Sequence, residues 1–195
     1  MKVKISMGNT KMGKIPSVSL PPIKSCGNCN LCAKKCYAKK AYLQYPQTKA
    51  AYDNNYKLVT KNHYKYFEDI KEYLSKKKPK YFRWHASGDI LGEEYFNDMV
   101  QIAEEYSKTK FLCFTKMYDI VSTYNCFAKI PKNLHIFFSL WEDQKYHAQQ
   151  NISIARSVNK QDLYKYQGFK CQGNCSECGF CFEALPGSSV IFEMH

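Results

Sequence analysis

Three short apolar segments, residues 81–86, 110–115 and 134–140, alternate with stretches of helical periodicity, and no other feature limits the fold so tightly. Each is hydrophobic nearly throughout rather than at every second position, as in Lys110-Phe-Leu-Cys-Phe-Thr115. Strands of that kind are buried on both faces and belong to parallel sheets built from βα units. Between them, residues 93–106 carry Phe96, Met99, Val100 and Ala103 behind an acidic first turn, and residues 117–128 read as a further helix. Residues 18–20, bounded by Pro16 and by Pro21-Pro22, read as a short first strand, and residues 151–158 and 188–193 as the last two. Roughly six βα units result, too few for a closed eightfold barrel. The expected architecture is one α/β domain over residues 1–195, a partial (β/α)6-like barrel of mostly parallel strands. A doubly wound sheet is the competing arrangement.

Upstream of the first clear strand, residues 33–45 favour helix until Pro46 stops it. Tyr52, Tyr56, Val59, His63, Phe67, Ile70 and Leu74 then recur in steps of three and four, one face of a long amphipathic helix with a break expected near Asn62. Ser139 and Glu142 form an S-x-x-E capping box for a helix over residues 142–150. No internal repeat or low-complexity linker divides the chain.

Eight of the ten cysteines fall into two tight groups. Cys26, Cys29, Cys32 and Cys36, spaced C-x2-C-x2-C-x3-C, follow the first strand directly. Cys171, Cys175, Cys178 and Cys181, spaced C-x3-C-x2-C-x2-C, occupy a Gly-rich loop over residues 167–185, ahead of the last strand. Thiols crowded so closely serve as disulfides, zinc ligands or iron–sulfur ligands. A chain of 195 residues buries roughly 70% of its unfolded surface and needs no disulfide staples. The first residues lack the apolar core of a secretion signal, and no apolar run approaches the roughly 18 residues of a membrane span. A cytoplasmic location without membrane contact is the expectation, and there CxxC spacings bind metal or do redox work.

Zinc sites commonly split their ligands into two separated CxxC pairs, whereas each group here is one continuous run. The first has the spacing of half a bacterial ferredoxin, with Tyr37 in place of the usual proline. The expectation is therefore [4Fe–4S] clusters, one per group or a single shared one, with zinc as the alternative metal. Cys113 and Cys126 read as buried free thiols acting as small hydrophobes.

In parallel βα folds ligands meet the carboxyl ends of the strands, and both cysteine loops are expected at that edge. His85, Ser87, Gly88, Asp89 and Lys116 fall there and are the candidate ligand-binding residues. Gly88 permits close backbone approach, Asp89 suits an amine or hydroxyl, and Lys116 suits an anion. Each also has a structural reading: His85 as a satisfied core histidine, Asp89 as a helix cap, and Ser139 as part of its capping box. The terminal Glu193, Met194 and His195 lie at the same edge. No catalytic residue is assigned.

The formal charge is +12; two cubanes with their thiolates, at about −2 each, leave the protein near +8. That balance admits a polyanionic partner such as nucleic acid, met by Lys34, Lys35, Lys39 and Lys40 and by the lysines of residues 76–80. Three classes of function stay open: an enzyme using a cluster beside His85, Asp89 and Lys116, an electron carrier, and a basic nucleic-acid-binding protein with structural clusters or zinc.

The succession Ile15-Pro-Ser-Val-Ser-Leu-Pro21, Cys26, Cys32, Cys36-Tyr37-Ala38, Phe82-Arg-Trp-His-Ala-Ser-Gly-Asp89, Phe114-Thr-Lys116 and a cysteine-rich C-terminal loop resembles the gene product eighty-eight family. The resemblance covers most of the chain and implies a protein of bacteriophages and mobile elements, working in the host cytoplasm; it implies no reaction. A looser resemblance is to the radical S-adenosylmethionine fold. It implies a partial (β/α)6 barrel, a cysteine loop after the first strand, a Gly-rich motif at the end of the second, and a redox enzyme taking S-adenosylmethionine and an electron donor. Cys36-Tyr37 and Ser87-Gly88-Asp89 stand in roughly those places. The chain departs from that pattern in its first group, where a fourth cysteine would close the iron position that S-adenosylmethionine needs. The C-x3-C-x2-C spacing of those enzymes occurs instead in the second group, Cys171, Cys175 and Cys178.

Overall fold

The computed structural model describes all residues except 28, 30, 142–150 and 195. Its strands are β1 (Ile5–Ser6), β2 (Ser17–Val18), β3 (Tyr81–Trp84), β4 (Lys110–Thr115), β5 (Leu134–Leu140), β6 (Ser153–Val158), β7 (Phe169–Lys170) and β8 (Ser189–Glu193). They form one eight-stranded sheet in the order β1-β2-β3-β4-β5-β6-β8-β7. Only β1 runs antiparallel to its neighbour; every other pairing is parallel. The sheet is open, and from β2 through β6 to β8 its order follows the chain without the reversal that marks a doubly wound sheet.

The helices are α1 (Leu31–Lys34), α2 (Tyr37–Gln44), α3 (Pro46–Lys61), α4 (His63–Lys77), α5 (Glu93–Glu105), α6 (Tyr118–Phe127), α7 (Cys175–Cys178) and α8 (Phe180–Glu183). The long amphipathic face is shared by α3 and α4, which break at Asn62; its side chain accepts a hydrogen bond from Lys65 N and caps α4. The helix expected over residues 33–45 is interrupted at Lys35 and Cys36, where the backbone of Cys36 is extended. The helix expected over residues 142–150, with its capping-box Glu142, lies outside the described residues.

Strand alternation sends side chains to two different cores. Phe82, Trp84, Phe111, Cys113, Leu134 and Phe138 pack under α3 to α6 with Leu58, Phe67, Ile70, Phe96 and Val100. Each large side chain so buried stabilises the fold by about 1.5–3 kcal/mol. On the other face Leu112, Phe137, Ala155 and Val190 pack with Met12, Ile15 and Phe182, and against Phe180, Cys175 and Cys181. One face is thus covered by helices and the other by the segment before β2 and the second cysteine loop.

The second cysteine loop meets the carboxyl edge where it begins: Cys171 N bonds Ile191 O, and Ile191 is in register with Arg156 and through it with Leu140 at the end of β5. Glu183 accepts hydrogen bonds from Tyr81 Oη and Lys110 Nζ at the starts of β3 and β4. His135 Nδ1, at the start of β5, meets Ala184 O, and Cys175 N donates to Lys11 O ahead of β2. The loop thus leaves β7, crosses the sheet face on which Cys175 and Cys181 pack, and reaches the amino ends at Glu183 before entering β8.

Candidate metal centres

The first quartet is built on a loop locked to the end of β3. Leu20 N donates to Ser87 O, His85 N to Val18 O and Asp89 N to Ser25 O, while Ser25 Oγ holds Pro21 O. A Cβ on Gly88, at φ +85°, would stand 2.5 Å from Ser25 Oγ and 2.7 Å from Leu20 Cβ. Only glycine allows this approach and this backbone. Tyr37 Oη adds a bond to Ala86 O at 2.8 Å. The residues flanking the cysteine loop, Leu20, Ser25 and Tyr37, are therefore tied to residues 85–89 at the carboxyl edge.

All four thiols of the first loop act on one another. Burial raises Cys26, and the charges of Asp89, Cys32 and Cys36 add to the rise. Cys29 is pushed up to about 12 by burial and then by Cys32, Cys26 and Cys36. The second quartet behaves alike. Burial raises Cys175, opposed by Arg83 and reinforced by Cys171 and Cys178. Cys181 is pushed up to about 12 by burial and by Cys171 and Cys175, again with Arg83 opposing. Half-buried thiolates that repel one another in this way need a bound cation to exist together, and that is the donor chemistry of zinc and iron–sulfur sites. Among the described residues no three His, Cys, Asp or Glu side chains stand at metal-holding spacing, so the quartets are gathered loops rather than formed coordination spheres.

Cys171, Cys175, Cys178 and Cys181 line a cavity of about 20 Å³ with Phe169, Phe180 and Gly179. Gly179, at φ +60°, turns the chain between α7 and α8, and the Phe169 and Phe180 rings stack at 4.1 Å. Arg83 lies on the same face of the sheet, opposite Leu112 in register, with its guanidinium 4.9 Å from the Phe114 ring centroid. Its Nε is buried without a hydrogen-bond partner among the described residues. Arg83 carries no motif in the sequence; only the strand register aims it at this loop.

The remaining candidates form a network of their own. Asp89 accepts hydrogen bonds from Thr115 Oγ1 at 2.6 Å, Lys116 N at 2.9 Å and Ile90 N at 2.8 Å. Burial raises its pKa against those three donors and the Lys116 charge. His85 has φ +55°, its Nε2 lies 2.9 Å from Tyr95 Oη and its Nδ1 3.9 Å from Cys113 Sγ. Burial lowers its pKa to about 3, with Arg83 adding to the fall. Lys116 Nζ stands 3.4 Å from Ser139 Oγ. Ser87 Oγ is buried and finds no partner among the described residues. His85 and Asp89 are thus committed to internal partners. Cys113 is buried; Cys126, contrary to expectation, is exposed at the end of α6.

The two lysine groups also separate. Lys34, Lys35, Lys39 and Lys40 are exposed beside the first quartet, whereas Lys76 and Lys77 end α4 at the amino edge. No described helix is long and apolar enough to cross a membrane. A family model described as Gene product 88 matches residues 3–184, a span that includes both quartets. No curated protein and no solved structure matches the chain.

Proposed function

The chain belongs to the Gene product 88 family, and on that footing we propose that it is an iron–sulfur protein carrying one [4Fe–4S] cluster on each cysteine quartet. The observation that carries this reading is that each quartet gathers four cysteines into a single loop, the first tied to residues 85–89 and the second lining one common cavity. Cys26, Cys29, Cys32 and Cys36 would hold one cluster and Cys171, Cys175, Cys178 and Cys181 the other. When bound, each cluster supplies one-electron redox chemistry. The protein's own contribution is burial on one side, the Asp89 carboxyl near the first centre, and the Arg83 cation near the second.

A partial barrel is the curvature we propose for the open sheet. It is supported by the unreversed strand order and by the second cysteine loop, whose Cys171 N bonds Ile191 O in β8 while Cys175 N bonds Lys11 O ahead of β2.

A second reading applies to the second quartet alone. Its four cysteines line one small cavity, and zinc at that site is the alternative to a cluster.

Anaerobic purification with iron, acid-labile sulfide and zinc analysis tests both. Two cubanes give about eight irons and eight sulfides per chain; about four of each with one zinc assigns zinc to one quartet, and zinc without sulfide overturns the iron–sulfur reading. Incubating the reduced, loaded protein with S-adenosylmethionine then separates an enzyme from a carrier: its cleavage marks a radical-type enzyme, and reversible reduction without cleavage marks electron transfer.

A further inference from the structure

Residues 1–52 contain ten lysines and no aspartate or glutamate, leaving nineteen basic and seventeen acidic residues in all the rest of the chain. Nearly all of the net charge of +12 therefore resides in the segment that carries the first cysteine quartet. Part of that charge is neutralised locally: Lys2 pairs with Glu72 and Lys49 with Asp53. Lys34, Lys35, Lys39 and Lys40 are exposed, and among the described residues none of them is ion-paired.

Aromatic surface is interleaved with these cations. Tyr37, at the start of α2, is 70% exposed, and Tyr45, just past its end, is 53% exposed. A tyrosine so open would ordinarily sample several rotamers, but the Tyr37 hydroxyl is held by Ala86 O at 2.8 Å. The ring is therefore fixed at one end with a face turned to solvent. Tyr37 and Lys40 are three residues apart on α2, so the ring and a cation share one side of the helix.

We propose that the α1–α2 face is a binding surface for single-stranded nucleic acid, with Lys34, Lys35, Lys39 and Lys40 following the phosphates and Tyr37 stacking on a base. Charge complementarity selects a polyanion, and the pinned ring selects the single strand, because a duplex hides the faces of its bases inside its own stack. The lysines at the end of α4 lie at the other edge of the sheet and take no part. This surface is independent of which metal the quartets hold.

Binding of fluorescein-labelled oligo(dT) to the full-length, metal-loaded protein tests the proposal by anisotropy. Affinity should fall with rising salt with a log–log slope near −3, from about 0.7 per lysine over four lysines. The quadruple K34Q/K35Q/K39Q/K40Q variant should flatten that slope, and Tyr37→Ala should weaken binding about tenfold. Tyr37→Phe, which keeps the ring and loses the anchor, should lose less. A duplex of the same length should bind more weakly than the single strand. The proposal is overturned by no binding at low salt, by equal affinity for the duplex with no effect of Tyr37→Ala, or by binding to phosphatidylglycerol vesicles without binding to oligonucleotide. Metal content, measured on every variant, must match the parent; a loss of binding that accompanies loss of metal counts against a direct surface contact.

Discussion

At the scale of single residues, the His85 imidazole shows how a buried group ties stability to pH. Its folded pKa is about 3 against 6.5 for the free side chain, so the fold favours the neutral ring. As pH falls below 6.5 the unfolded chain takes up the proton first, and stability is lost progressively down to about 3. Between pH 7 and pH 5 this one residue should cost about 2 kcal/mol. Chemical denaturation at the two pH values measures it, and His85→Gln should flatten that part of the profile. An unchanged slope in the variant would show that other groups set the acid sensitivity. His85 and Asp89 stand out in the sequence as a His-x-Ser-Gly-Asp string, and that string alone cannot tell a ligand contact from an internal staple. The structure gives them internal partners in Tyr95, Thr115 and the Lys116 backbone. Arg83 was illegible for the opposite reason, since one arginine inside an apolar strand has no pattern around it.

Among the elements, helices were read best where periodicity and a break signal agreed. The face from Tyr52 to Leu74 marks α3 and α4, and Asn62 marks their junction by capping the second helix. Asn62→Ala removes the hydrogen bond to Lys65 N and should cost about 1 kcal/mol. In a chain of this size that corresponds to a fall in Tm of roughly 2–4 °C, which differential scanning calorimetry would detect; an unchanged Tm would show that packing alone holds the junction. The short elements of residues 169–183 were read only as loop. Elements of two to four residues are too brief to establish a period, and their conformation follows from docking on β4 and β5.

For the whole molecule, the decisive fact is that the first quartet lies beyond the carboxyl end of β3 while the second is laid across one face of the sheet. The first is bonded to residues 85–89 beyond β3, and the second to Lys11 and, through Glu183, to the starts of β3 and β4. The thiols shifted in each quartet respond to cysteines of their own group and not to those of the other. Two independent centres are therefore expected. Replacing Cys26, Cys29, Cys32 and Cys36 together by serine should remove about half of the bound metal and leave the second centre's spectrum intact. Complete loss of metal from a folded variant would instead indicate a single shared centre.

What the amino-acid sequence determined by itself was local: apolar strands separated by amphipathic helices, the eight clustered cysteines, the glycine beside Asp89, and the family those motifs belong to. Each is set by residue type and spacing within a few turns or one strand. What only the tertiary structure decided was which distant pieces meet. The strand register brings Arg83 to the second loop, packing lays that loop across the sheet face, and docking of Tyr37 on Ala86 leaves one ring pinned yet open. Those outcomes depend on register and chain direction in a parallel sheet, which link residues far apart in sequence and leave no mark within any one segment.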